Sequence, residues 1–259
     1  ENTARYLETY GEDIPIKCHP EIRSSESCYI SSSKAISLAK KTGARLHVFH
    51  LTTEKEMALF SNKKPLKDKK ITAEVCVHHL WFTDADYEKK GAFIKWNPAV
   101  KSANDREALW EALLCDKIDV IATDHAPHTF EEKSNTYLKA PSGGPLVQHA
   151  LVAMMEVCHK GKISVEKMVE KMSHNPAILF QIEKRGFIKE GYFADLVLVN
   201  PNNPWTVNKD NILYKCGWSP FEGSTFKSRV THTILNGAIV YENANFTNVN
   251  TAMRLTFNR

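Results

Sequence analysis

Three short apolar runs set what this chain can fold into. "ARLHVFHLT" (44–52), "ITAEVCVHHLWFT" (71–83) and "IDVIATDH" (118–125) are rich in β-branched and aromatic residues. Each reads as a strand buried on both faces. The first run follows an amphipathic stretch ending Lys40-Lys41-Thr42-Gly43, which reads as a helix with a glycine stop. The third follows "NDREALWEALLCDK", in which Leu109, Trp110 and Leu113 recur at helical spacing. Strands that alternate with helices define βα units and a parallel sheet.

Beyond the third run comes a long polar loop. "LVQHALVAMMEVCHKG" then reads as a helix ending at Gly161, and "SVEKMVEKM" as another. "SHNPAILF" reads as a short helix with Asn175 as its N-cap and Pro176 in its first position. The character changes over residues 186–191. "YFADLVLVNP" and "VTHTILNGAIVYEN", the latter with Asn236-Gly237 as its turn, predict a hairpin-rich β module. The expected division is therefore 1–187 and 188–259.

Composition narrows the function. At 259 residues, 42% hydrophobic and 25% charged, the chain is an ordinary globular sequence, long enough for one large α/β domain or two smaller ones. A formal charge of +4 without a basic tail argues against nucleic-acid binding. No apolar segment approaches the ~18 residues a membrane span needs. The start "ENTARYLETY" is polar and has no signal-peptide core, so the expected location is cytoplasmic. Six cysteines without a C-x-x-C pair read as reduced, mostly core-filling thiols.

The chemistry concentrates where strands end. His50 closes the first apolar run and Asp124 the third, and in parallel α/β proteins the C-terminal strand ends carry the site. A carboxylate there must be paired, hydrogen-bonded or metal-bound. Imidazole and carboxylate suit zinc and similar metals. The plain alternatives are a core histidine bonded to a backbone carbonyl and an N-capping aspartate. His47, three residues before His50, falls on the opposite face of a regular strand. His78 and His79 are adjacent, so one is expected packed and the other in solvent. Asn97-Pro98 is a turn signal after a possible strand. "APSGGP" (140–145) is a glycine-rich turn opening a helix, able to offer backbone N–H groups to an anion.

In order along the chain, "HVFHLTT", "AEVCVHHL", "KWNPAVKSANDREALWEAL", "DVIATDHAPHTFEEK", "KAPSGGP", "HNPAILF" and "GYFADLVLVNP…NGAIVYE" resemble the dihydroorotases of the amidohydrolase superfamily. The pair "TDHAPHTFEEK" and "APSGG" carries most of the specificity, whereas "GYFADLVLV" is shared across the superfamily.

The resemblance implies the sixth to eighth strands of a metal-dependent TIM barrel plus part of a small β-sandwich-like module. It implies that His50 is a metal ligand and that Asp124 is both a ligand and the proton shuttle. Asn97, His128, Ser142 and Gly143 would hold the substrate ring and its carboxylate. The implied cofactor is zinc, in a binuclear site. The implied reaction is the reversible cyclisation of N-carbamoyl-L-aspartate to (S)-dihydroorotate in pyrimidine biosynthesis. The family's first-strand H-x-H, fourth-strand bridging ligand and fifth-strand histidine have no counterpart here, and His19 in "IKCHPEIRSSE" reads as a loop residue. The expectation is thus a C-terminal fragment, short of metal and activity when alone, that associates with an N-terminal barrel half or with further copies of itself. Two other readings stay open: an amidohydrolase acting on hydantoin, dihydropyrimidine or allantoin, and a non-catalytic barrel relative working through protein association.

Overall fold

The structure, a computed structural model, describes residues 2–258 as a mixed α/β chain. Two compact units are present. The first runs up to Ala150 and includes Asn208–Glu222; the second comprises Leu151–Val207 and the chain from Gly223 onward. The residue 187/188 division expected from composition lies inside the second unit.

In the first unit, helices α1 (Asn2–Tyr10), α2 (His19–Ile22) and α3 (Ser25–Thr42) precede strand β1 (Leu46–Val48). Strand β2 (Ile71–Cys76) is followed by α4 (Val77–Trp81), α5 (Tyr87–Lys90) and α6 (Ala103–Leu114). Strand β3 (Val120–Ala122) and α7 (Phe130–Lys133) complete the series. The three strands form a parallel sheet in the order β1-β2-β3, as the alternation of strand and helix signals predicts.

Local chemistry explains the elements. The Ser24 side chain caps α3 by accepting from the Ser27 N–H, and Gly43 ends it at φ 75°, a conformation that costs glycine least. Ser102 caps α6 in the same way. Leu109, Trp110 and Leu113 are all buried, and the Trp110 indole donates to the Leu80 carbonyl, fixing α6 against α4. β2 is the central strand, with Ala73, Val75 and Cys76 fully buried. At the opposite end of the sheet from the candidate site, Lys69 Nζ meets Asp119 Oδ1 at 2.6 Å, while Asp119 Oδ2 accepts from the Ala73 N–H at 3.0 Å.

Several expectations are corrected. The strand signal over 71–83 holds only to Cys76; α4 begins at once, with the Phe82 N–H donating to the His78 carbonyl. Residues 91–94, before Asn97-Pro98, form a 3₁₀ turn rather than a strand. His19 opens α2 instead of lying in a loop, and both its nitrogens are satisfied, by the Tyr137 hydroxyl and the Trp96 carbonyl.

The second unit holds most of α8 (Ala150–His159), then α9 (Val165–Val169) and α10 (Asn175–Phe180). A π-helical turn over Glu170–His174 joins α9 to α10, so Asn175 is already helical at φ −65° and is not an N-cap. Strands β4 (Leu196–Asn200), β5 (Trp205–Thr206), β6 (Thr225–Phe226), β7 (Arg229–Leu235), β8 (Ala238–Glu242) and β9 (Asn245–Phe246) follow. They form an antiparallel sheet β4-β7-β8-β9 and a separate β5-β6 pair. The β7–β8 hairpin turns at Asn236-Gly237 as expected, both residues at positive φ. Val197, Leu198, Ile239 and Phe246 of this sheet are exposed. No helix among the described residues is long and apolar enough to cross a membrane.

Candidate active site at the ends of the parallel strands

The parallel sheet brings the C-terminal ends of β1, β2 and β3 to one edge. His50 lies two residues past the end of β1 and Asp124 two past the end of β3. Both sit in the left-handed region, at φ 40° and φ 48°. Non-glycine residues hold that conformation only when their surroundings impose it, and such residues cluster at functional sites.

His50 is partly buried, and its Nδ1 is shut off from solvent with no hydrogen-bond partner. An orphaned imidazole nitrogen on one strand end and a carboxylate on another fit a metal such as zinc. The strict alternation that separates His47 from His50 ends at Val48, and both histidines line one cavity of about 480 Å³. Arg23, Glu56 and the exposed Asn97 line the same cavity. His47 itself is held by Thr72 Oγ1 at 2.9 Å and Glu74 Oε2 at 3.0 Å. Glu56 accepts from Ser32 at 2.5 Å and Thr53 at 2.8 Å, which secures the turn after His50.

The loop after β3 is joined to the glycine-rich segment. His125 Nδ1 accepts from the N–H groups of Leu146 and Val147 at 3.0 and 3.2 Å, and the Ala126 N–H donates to the Gly144 carbonyl. His128 Nε2 lies 3.3 Å from the Ser142 carbonyl oxygen, and the His128 carbonyl accepts from the Trp218 indole at 2.7 Å. Gly143, at φ 136°, permits this close approach, since a Cβ there would stand 2.5 Å from the Ala126 carbonyl oxygen. The structure therefore groups His128 with Ser142 and Gly143, and Asn97 with His50.

Two buried lysines hold the same segment, and sequence reasoning missed both. Lys133 Nζ donates to the carbonyls of Lys95, Pro141 and Gly143, at 3.2, 2.9 and 2.8 Å. Lys95 Nζ donates to those of Tyr137 and Ala140, each at 2.6 Å. Burial, then the neighbouring Lys95 charge, pushes Lys133 down to about 7, and burial, then the Arg23 charge, pushes Lys95 down to about 8. The usable signal was "TFEEK": Thr129 and Glu132 form a capping box that sets Lys133 in the single turn of α7.

His78 and His79 depart furthest from expectation. Neither faces solvent: they are 0% and 3% exposed, with ring centroids 3.9 Å apart. Because the chain turns helical at Val77, the alternation of a strand no longer separates them. Burial pushes His79 down to about 3 and His78 well below its ordinary value, so both are neutral. Burial, then the carboxylates of Glu74 and Asp124, pushes the Cys76 thiol well up.

The parallel strands thus carry a histidine and an aspartate on one shared edge of an α/β unit. The family model for the amidohydrolase family matches residues 24–240, and the chain belongs to that family. It is similar to the dihydroorotase of Clostridioides difficile (strain 630), at 38% identity over 79% of this chain and 48% of the relative. It is also similar to the dihydroorotase of Pyrococcus furiosus, at 35% identity over 91% of this chain and 52% of the relative. The chain thus spans about half the length of the relatives it matches. Among solved structures it resembles an L-hydantoinase (dihydropyrimidinase) from Arthrobacter aurescens, with a TM-score of 0.86 and 26% identity over 95% of this chain and 55% of that one. The dihydropyrimidinase of Brevibacillus agri NCHU1002 shares the fold, with a TM-score of 0.84 at 24% identity.

Proposed function

We propose that this chain is the C-terminal portion of a dihydroorotase, cyclising N-carbamoyl-L-aspartate to (S)-dihydroorotate reversibly. The observation that carries this reading is the placement of His50 and Asp124 on one edge of the parallel sheet, each at positive φ. Similarity to relatives named dihydroorotase supports the substrate.

In this reading β1, β2 and β3 are the sixth to eighth strands of a TIM barrel, residues 1–187 are barrel and 188–259 a β module. His50 and Asp124 hold zinc together with ligands from an N-terminal barrel half. Zinc, when bound, supplies Lewis acidity that acidifies water and polarises the ring carbonyl. Asp124 accepts a proton and hands it to the ring nitrogen as the amide opens, and returns it on closure. Asn97 and His128 orient the ring and its carboxylate, and the Ser142-Gly143 segment offers backbone groups to the same end. The exposed apolar residues Val197, Leu198, Ile239 and Phe246 support association with the missing half or with another copy.

A second reading, ring opening of hydantoins or dihydropyrimidines, draws on the fold shared with the Arthrobacter aurescens hydantoinase. The test supplies the N-terminal half of the Pyrococcus furiosus dihydroorotase, fused to this chain, and assays a panel of cyclic amides. Turnover of dihydroorotate well above that of hydantoin and dihydrouracil supports the proposal; the reverse order establishes the second reading.

A further inference from the structure

Nothing in the reading above uses the end of the central strand. Cys76 closes β2, and His78 and His79 follow in the first turn of α4. Cys76 Sγ, one ring nitrogen of His78 and one of His79 all lie within 4.8 Å of one another, and all three residues are buried. We propose that Cys76, His78 and His79 form a second metal site, taking a zinc-like divalent cation through one thiolate and two imidazoles.

Independent observations point to a ligand. Nδ1 of His79 and one ring nitrogen of His78 are shut off from solvent without a hydrogen-bond partner, while the other His78 nitrogen faces the Thr123 backbone. A buried polar atom left unpaired is costly, and each of these two adjacent residues carries one. His79 Nε2 donates to the Pro98 carbonyl oxygen at 3.2 Å. That bond fixes the tautomer and leaves Nδ1 as a bare lone pair, the usual support behind a metal-bound histidine. The His78 ring is held in place by stacking on Trp96, with centroids 4.2 Å apart and planes inclined by 20°.

The chemistry of the set is selective. One sulfur and two imidazoles suit zinc or cobalt and are poor for magnesium or calcium. Zinc bonds of about 2.3 Å to sulfur and 2.0–2.1 Å to nitrogen place ligand atoms roughly 3.5 Å apart, so the triad closes by up to about 1.3 Å on binding. The Cys76 S–H proton leaves to solvent as the sulfur–metal bond forms. Three protein ligands leave one tetrahedral position for water or another donor. Pro98, whose carbonyl holds His79, also lines the cavity that contains His50.

The site stands independently of the dihydroorotase reading, because none of its ligands is among the residues assigned to that reaction. The probe is cobalt(II), titrated into the purified 259-residue chain under a non-chelating phosphine reductant. The expected result is one cobalt per chain with a thiolate-to-cobalt charge-transfer band that zinc abolishes. The band should persist in the His50→Ala/Asp124→Asn double variant and disappear in Cys76→Ser. Zinc K-edge absorption on the unaltered chain, which needs no variant to fold, should show one sulfur and two imidazole nitrogens. Absence of sulfur from that spectrum, a charge-transfer band surviving in Cys76→Ser, or its loss in the His50/Asp124 variant would each overturn the proposal.

Discussion

His50 and Asp124 share one backbone conformation at equivalent places: each lies two residues beyond its strand, at φ 40° and φ 48°, with β2 between their strands. The left-handed region costs an ordinary L-residue roughly 1–2 kcal/mol. Replacement of Asp124 therefore separates strain from chemistry. Asp124→Gly and Asp124→Ala should both lose function, yet the glycine variant should be more stable than the alanine variant by roughly 1 kcal/mol in urea denaturation. Equal stability would show that the position is not strained.

Gly143 should tolerate no side chain. Gly143→Ala places its Cβ against the Ala126 carbonyl oxygen while demanding φ 136°. The segment bearing Ser142 must shift, which should raise KM for dihydroorotate in the reassembled enzyme about tenfold or more while lowering kcat less. Steady-state kinetics on that variant check it.

Lys133 should be needed to hold the same segment. Lys133→Met removes the donor from three carbonyl oxygens in a buried site. A loss of about 1–3 kcal/mol is expected, together with faster amide exchange at Gly143, whose N–H donates to the Lys95 carbonyl. Unchanged exchange would show that the segment holds itself.

Stability should fall on mild acidification, in part through His19. Burial pushes its pKa from 6.5 to about 3, against the opposing hydrogen bond to the Trp96 carbonyl. Below pH 6.5 the unfolded chain takes up a proton that the native chain refuses until about pH 3, so this contribution is intact above 6.5 and is lost as pH drops. The slope is up to about 1.4 kcal/mol per pH unit. Urea midpoints at pH 7 and pH 5 should converge in His19→Gln relative to the parent chain.

The parallel sheet was legible because α3 ends on a glycine stop and α6 shows helical spacing, and because His50 and Asp124 follow β1 and β3 two residues on. His128, Ser142 and Gly143 were legible only through resemblance, since their proximity depends on hydrogen bonds between loops distant in sequence. The His78-His79 pair was misread for a physical reason. A short apolar run does not distinguish a strand from a buried helical turn, and the change of conformation at Val77 buries both histidines instead of one. Lys133 and Lys95 were invisible because a lysine is ordinarily read as solvated, and only tertiary structure supplies the carbonyl cages that allow its burial.

The most direct test joins this chain to an N-terminal dihydroorotase half and measures zinc content and dihydroorotate hydrolysis on one sample, with and without Asp124→Asn. The expected result is bound zinc and turnover in the parent fusion, with turnover reduced about 10²–10⁴-fold in the variant, the usual range for losing a positioned acid–base group. Turnover unaffected by Asp124→Asn, in a fusion that binds zinc, would contradict the assignment of the proton shuttle and the placement of the active site at the ends of these strands.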